Sequence, residues 1–293
     1  MFHEPLLLGF PDYQLQAKNL AHLLDIEYAE AELHHFPDGE SKIRLPIDIP
    51  STVIICRSLN SPNDKLIELF FTTKELRQKG CERIILVAPY LCYMRQDKEF
   101  QPGEAVSQRW VGKLLASLVD EVITVDPHLH RVKKLEDIIK NKRAVTLSAT
   151  ALIGNQISLQ VANPLIVGPD EESKQWVQQI ARLHDFDYLV GDKTRFGDRE
   201  VNVVLPPSDV KDRSVVLVDD MASTGKTLIH AAQQLVDLGV ENLYCAVTHA
   251  LFVGESYDEL LATGIKGVWS TDSVGHPSNC ISLASLLADA IQL

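Results

Sequence analysis

The chain has 293 residues, 45% of them apolar, enough for a sizeable core in one large domain or two ordinary ones. A formal net charge of −12 excludes general nucleic-acid binding, which needs a basic footprint, so a polyanionic ligand must be met by local cations or by metal. The five cysteines (Cys56, Cys81, Cys92, Cys245, Cys280) are scattered and form no C-x-x-C pair, which argues against a disulfide framework or a zinc site.

The start, MFHEPLLLGF, has no basic stretch and too short an apolar run for a signal peptide. No segment reaches the roughly 18 apolar residues of a membrane helix. The expectation is a cytoplasmic protein with reduced thiols and no membrane or nucleic-acid partner.

In chain order, residues 36–40 (FPDGE) read as a turn that brings an aromatic ring and two acids together. Residues 53–56 (VIIC) read as a buried strand, 66–79 as a helix and 84–88 (IILVA) as a second strand. That strand is followed by a loop holding Arg95, Gln96, Asp97 and Lys98 beside Tyr90, Tyr93 and Phe100. An arginine fork fits phosphate oxygens; a solvated polar loop explains the charges but not the aromatics. A helical pattern over 108–118 leads to the strand 122–125 (VITV), which ends in Asp126-Pro127-His128-Leu129-His130. His128 there is a candidate metal ligand or acid/base group, although isolated histidines are mostly structural or exposed.

The strand 165–167 (LIV) is followed by Gly168-Pro169-Asp170-Glu171-Glu172-Ser173. Asp170 is a candidate metal or hydroxyl ligand, and Glu171 and Glu172 suit the first turn of a helix. Residues 192–199 (DKTRFGDR) carry Lys193 and Arg195, two cations able to close over a phosphate from a flexible loop; an ordinary charged surface hairpin is the other reading. The strand 215–218 (VVLV) then leads through Asp219 and Asp220 to Ala222-Ser223-Thr224-Gly225-Lys226-Thr227, a helix over 228–238 and a strand over 243–247.

Strand–helix alternation of this kind predicts an α/β fold built on parallel sheets covered by helices on both faces. Residues 52–91 also echo 214–252: each reads strand, loop, helix, a glycine suited to a helix C-cap (Gly80, Gly239), then strand. The echo predicts two similar domains, 1–145 and 146–293. The loop of the first copy, residues 57–62, lacks the acid pair and the Ser-Thr-Gly turn, so only the second domain is expected to bind a sugar phosphate in this way.

Residues 225–227 (GKT) end as a Walker A loop ends, but that motif requires glycine at position 220, where Asp220 stands and would repel phosphate. The stretch still predicts an anion site, because a loop entering a helix presents unpaired N–H groups and the positive end of the helix dipole. Adjacent carboxylates beside such a site suit a ligand with hydroxyls or a bound divalent cation, and a sugar phosphate offers both. A helix simply capped by Ser223 or Thr224 is the alternative.

Together these segments resemble the ribose-phosphate diphosphokinase (phosphoribosyl diphosphate, PRPP, synthetase) family, its short archaeal-like type in particular. The motifs that carry the resemblance are Phe36-Pro37-Asp38-Gly39-Glu40, Arg95-Gln96-Asp97, Asp126-Pro127-His128, Gly168-Pro169-Asp170, Lys193-Thr194-Arg195 and the 218–227 loop, in register along nearly the whole chain. The resemblance implies two tandem phosphoribosyltransferase-like (type I) domains, each a mainly parallel sheet flanked by helices. It implies transfer of the diphosphoryl group of ATP to ribose 5-phosphate, with Mg²⁺, in a homo-oligomer.

It also implies roles for particular residues. Phe36, Asp38 and Glu40 would hold adenine, in the family from a neighbouring subunit; Arg95, Gln96 and Asp97 would belong to the ATP site. His128 and Asp170 would sit in the magnesium shell, and Lys193 and Arg195 would carry catalysis. Asp219 and Asp220 would bind ribose hydroxyls, and Ser223, Thr224, Gly225 and Thr227 the 5-phosphate.

Two departures stand out. Lys226 replaces a residue that is usually glycine, and Glu171-Glu172-Ser173 replace small residues beside the metal position. Two rival functions remain. A type I phosphoribosyltransferase needs only one such domain and neither the F-x-D-G-E turn nor the R-Q-D segment. A non-catalytic regulatory homologue should show eroded loops, whereas Lys193, Arg195, His128 and the acid pair are all present.

Overall fold

A computed structural model of the chain describes residues 4–140, 142–196, 200–204, 210 and 212–293, with the backbone alone for 192–196 and 200–204. The chain divides into two units, Met1–Leu147 joined by Leu283–Leu293, and Ser148–Ser282.

The first unit runs β1 (Leu6–Gly9), α1 (Gln14–Leu24), β2 (Glu27–Glu30), β3 (Glu32–His35), β4 (Ser41–Arg44), β5 (Thr52–Cys56), α2 (Pro62–Gln78), β6 (Arg83–Val87), α3 (Ser107–Leu118), β7 (Glu121–Val125) and β8 (Arg143–Leu147). Six of these strands form one all-parallel sheet in the order β2-β1-β5-β6-β7-β8. Its central strands are apolar on both faces because helices cover both: Val53 to Ile55 and Ile84 to Val87 are all buried. The hairpin β3–β4 stands outside this sheet as an antiparallel pair.

The second unit runs α4 (Thr150–Gln160), β9 (Leu165–Gly168), α5 (Lys174–His184), β10 (Asp187–Val190), β11 (Asp192–Phe196), β12 (Glu200–Val204), β13 (Ser214–Ala222), α6 (Lys226–Asp237), β14 (Asn242–Ala250), α7 (Ser256–Ala262), β15 (Val268–Thr271) and β16 (Asn279–Ile281). Its parallel sheet, β10-β9-β13-β14-β15-β16, repeats the strand order of the first, and β11–β12 repeats the separate hairpin. The repetition extends to a stretch that the 52–91 echo does not reach. Residues 184–200 (HDFDYLVGDKTRFGDRE) parallel 24–40 (LDIEYAEAELHHFPDGE), which sets Arg195 at the position of His35.

Gly80 and Gly239, read from sequence as helix C-caps, take φ of +94° and +88° and donate their N–H groups to Arg77 O and Val236 O. The strand read over 215–218 is longer than its apolar run. β13 continues to Ala222 because β14 pairs with it through Ala222–Ala250, so Asp219 and Asp220 lie on the strand and not in the loop.

The tail 283–293, placed in the second domain from sequence, packs instead in the first unit. The last helix, α8 (Ala284–Ala290), lies against α1 and buries Ala284 and Leu287. Arg83 Nη2 donates to Gln292 O (2.8 Å) and Arg143 Nη2 to Ala290 O (3.4 Å), which satisfies carbonyls at the end of the helix. In the second unit α4 lies against α5, as α8 lies against α1. The sequence could not show this, since an amphipathic helix carries no label for the sheet it will cover.

Leu287→Ala is expected to cost about 2–4 kcal/mol, as for a buried leucine elsewhere. Native-state hydrogen exchange should show protection lost in α1 and β8 and retained in β13 and β14; loss confined to the second unit would contradict the assignment of the tail.

Candidate functional site

The loop after β13 enters α6 with a geometry that suits an anion. Gly225 takes φ +68°, ψ −8°, and is the N-cap of α6; among the described residues no side chain caps the helix. Gly225 and not Ser223 or Thr224 is the cap, a helix start whose first N–H groups and positive dipole end suit an anion. The loop is latched from behind. Ala222 O accepts from the N–H groups of Leu251 (2.9 Å) and Phe252 (2.8 Å), and Ser223 O accepts from Val253 N (2.9 Å) and from the buried Ser256 hydroxyl (3.1 Å). Thr224 and Lys226 are exposed and Ser223 and Thr227 half-buried at the surface of this turn.

Acid groups gather just before it. Asp220 N donates to Asp219 Oδ1 (2.9 Å). Asp219 keeps part of its residue surface, yet its carboxyl is desolvated: burial first, then the carboxylates of Asp220 and Asp170, raise its pKa well above the ordinary range. Asp170 follows β9, and its Oδ1 accepts from the N–H groups of Glu172 (3.0 Å) and Ser173 (3.3 Å). The carboxylates of Asp220 and Asp170 both disfavour charge on Asp219, and acidic oxygens of this kind suit sugar hydroxyls or a hard divalent cation.

In the first unit the 36–40 turn is closed by its backbone, with Phe36 N donating to Glu40 O (2.8 Å) and Gly39 N to Phe36 O (2.9 Å). Phe36 is 40% exposed, edge-on to His34, and Asp38 and Glu40 are exposed beside it. Arg95 is exposed. Gln96 Nε2 donates to Glu104 Oε2 (3.0 Å) and Lys98 O (3.2 Å). Asp97 is buried, and both its oxygens accept from Arg131 Nη1 (2.7 and 2.9 Å), so its carboxylate holds the loop instead of facing a ligand. Phe100 lies near the cations of Lys98 and Arg131, which accounts for that aromatic among the charges.

His128 is half-buried, and its ring meets that of His130 edge-on at 4.0 Å between centroids. His130 therefore belongs with His128; their i, i+2 spacing on one extended loop was the available signal. Lys193 and Arg195 lie on β11, and their side chains are outside the described residues.

The profile of the N-terminal domain of ribose phosphate pyrophosphokinase matches residues 7–118, and that of the phosphoribosyl transferase domain matches residues 133–269. The ribose-phosphate pyrophosphokinase of Methanopyrus kandleri is 35% identical over 94% of both chains. The chain belongs to the ribose-phosphate pyrophosphokinase family. Ribose-phosphate pyrophosphokinase 2 of Archaeoglobus fulgidus is 33% identical over 97% of this chain and 99% of its own. The crystal structure of phosphoribosylpyrophosphate synthetase from Mycobacterium smegmatis matches 98% of this chain and 97% of its own with a TM-score of 0.85 at 23% identity, which shows the shared fold.

As in this family, the chain has two phosphoribosyltransferase-like units and is an enzyme. Among the described residues, no helix is long and apolar enough to cross a membrane.

The acid cluster gives a signed pH prediction. A raised carboxyl pKa in the folded state contributes stability that is fully present below the unfolded value, about 4, and is lost as pH rises through the folded value. Without divalent cations, Asp219→Asn should therefore raise the melting temperature by a few degrees at neutral pH. The gain should disappear toward pH 4 and shrink when Mg²⁺ is added to both proteins. Equal melting temperatures at neutral pH would show that the cluster carries no such burden.

Proposed function

We propose that the chain transfers the β,γ-diphosphoryl group of ATP to the C1 hydroxyl of ribose 5-phosphate, giving PRPP and AMP. The observation that supports this most is the uncapped start of α6, entered through left-handed Gly225 and preceded on β13 by Asp219 and Asp220. N–H groups at that helix end, with the hydroxyls of Ser223, Thr224 and Thr227, take the 5-phosphate; Asp219 and Asp220 accept hydrogen bonds from the ribose hydroxyls.

In this reading Phe36 stacks on adenine while Asp38 and Glu40 accept from its amino group. Arg95 and Gln96 hold the polyphosphate, and Asp97 acts through Arg131 to keep their loop in place. His128 and Asp170 are the proposed magnesium ligands; nitrogen is a poor donor for so hard a cation, so the case for His128 is the family likeness. Mg²⁺, when bound, neutralises phosphate charge and orients the diphosphate. Lys193 and Arg195 place positive charge where it develops in the transition state, since phosphoryl-type transfer depends chiefly on positioning and charge stabilisation. A cytoplasmic homo-oligomer completes the reading, with the exposed 36–40 turn available to a neighbouring subunit.

A coupled assay should detect AMP from ATP and Mg²⁺ only when ribose 5-phosphate is present; no AMP with any metal or donor would favour the regulatory homologue. Lys193→Ala should lower turnover by at least about 10²-fold, the scale of losing one preorganised donor, and an unchanged rate would remove it from the mechanism. Lys226→Gly should weaken ribose 5-phosphate binding if the extra cation contacts the phosphate; unaltered affinity would show that it points to solvent.

A further inference from the structure

In the first unit, the connection between β5 and α2 occupies the place in the chain that the phosphate loop occupies between β13 and α6, and it is filled by the protein's own charges. Arg57 follows β5 and is 3% exposed. Its Nε donates to Asp12 Oδ1 (3.0 Å), and its guanidinium lies 4.3 Å from the centre of the Phe10 ring. Its Nη1 lies 2.7 Å from Glu68 Oε2, an ion-pair contact without hydrogen-bond geometry. Lys65 closes the loop, its Nζ donating to Ser58 O (2.8 Å) and Asn60 Oδ1 (2.9 Å) and pairing with Asp12 Oδ2 (2.6 Å).

Glu68, fully buried on α2, is the hub of the network. Its Oε1 accepts from Ser41 Oγ (2.9 Å) and meets His35 Nε2 at 2.8 Å. Burial alone would push its carboxyl pKa up, but Arg57, His35 and Ser41 outweigh that and hold it below the ordinary range. His35 and Ser41 face each other across β3–β4 as the last pair before the 36–40 turn. That hairpin is only two strands, exposed at three of four residues in β3 and two of four in β4, with Leu33 and Ile43 its contacts to the core. Two-stranded hairpins are marginal alone, so the turn at its tip needs an outside brace.

We propose that Glu68 is a positioning residue for ATP, fixing the base of the 36–40 turn through His35 and Ser41. The proposal rests on the reading of that turn as the adenine site. The first unit thus uses as a strut the connection that the second unit leaves open for substrate. The second hairpin carries Arg195 where the first carries His35, so the braced position in one unit corresponds to a proposed catalytic position in the other.

The test is steady-state kinetics with ATP varied at saturating ribose 5-phosphate, on His35→Ala, His35→Gln, Glu68→Gln and Phe36→Ala. His35→Ala and Glu68→Gln should raise KM for ATP about tenfold, equivalent to about 1.4 kcal/mol of binding. Turnover and KM for ribose 5-phosphate should stay within about twofold, the pattern of lost uniform binding. His35→Gln, whose amide still donates to Glu68, should recover most of the loss. Amide exchange should quicken across 32–44 in His35→Ala while β5 and β6 keep their protection.

If Phe36→Ala raises KM for ATP but His35→Ala and Glu68→Gln leave it at the wild-type value, the positioning role is overturned and the adenine reading stands. If Phe36→Ala also leaves it unchanged, the adenine reading fails first and the proposal with it. Should Glu68→Gln not fold, the two His35 variants decide, because the His35 side chain is 58% exposed and its loss leaves the core intact.

Discussion

Two all-parallel sheets, each buried on both faces, impose the constraint from which the site follows. A backbone in such a sheet is fully paired, and its central strands admit few polar side chains, because an unpaired polar group there is costly. Polar residues are therefore displaced to the ends of strands, where the chain leaves the sheet and the following helix begins. β5 and β13 both obey this rule: buried apolar residues run to Cys56 and to Val218, and charge begins at Arg57 and at Asp219. A helix N-terminus follows each, and the residues in between decide whether that end serves a ligand or the protein itself.

The two units solve that problem in opposite ways. In the second, carboxylates crowd together beside uncapped N–H groups, an arrangement unfavourable on its own and suited to hydroxyls, phosphate and a divalent cation. In the first, Arg57 and Lys65 bring positive charge, Asp12 and Glu68 bring negative charge, and the cluster neutralises itself. Removing one partner of a buried ion pair leaves an uncompensated charge, so such a cluster stabilises a particular geometry more than it adds to overall stability. That geometry is the base of the hairpin that carries Phe36, Asp38 and Glu40.

The repeated topology relates these features to one another. Each unit has a six-stranded parallel sheet and a separate antiparallel hairpin after its second strand, and the two hairpins carry the 36–40 turn and the Lys193–Arg195 segment. The helices α4 and α8 extend the correspondence, since each lies against the first helix that follows the opening strand of its unit. A duplicated scaffold has supplied two hairpins and two strand-end loops, and the charges placed on them separate their tasks.

Much of this was legible along the chain. Continuous β-branched runs marked the buried strands because parallel strands need apolar residues on both faces. Gly80 and Gly239 marked helix ends because only glycine takes the left-handed cap without strain. The six motifs marked the family because they fall in register. Other features depend on residues distant in sequence and needed the fold. The extension of β13 through Asp219 and Asp220 depends on pairing with β14. The diversion of Asp97 to Arg131 and the gathering of Asp12, Arg57, Lys65 and Glu68 with His35 and Ser41 depend on loops that meet only once the sheet has formed. The place of α8 depends on which apolar surface it reaches first. The sequence by itself determined the chemistry available at each strand end, because composition and order are local; the tertiary structure alone decided which charges meet, because burial brings remote side chains together and sets the cost of leaving any of them unpaired.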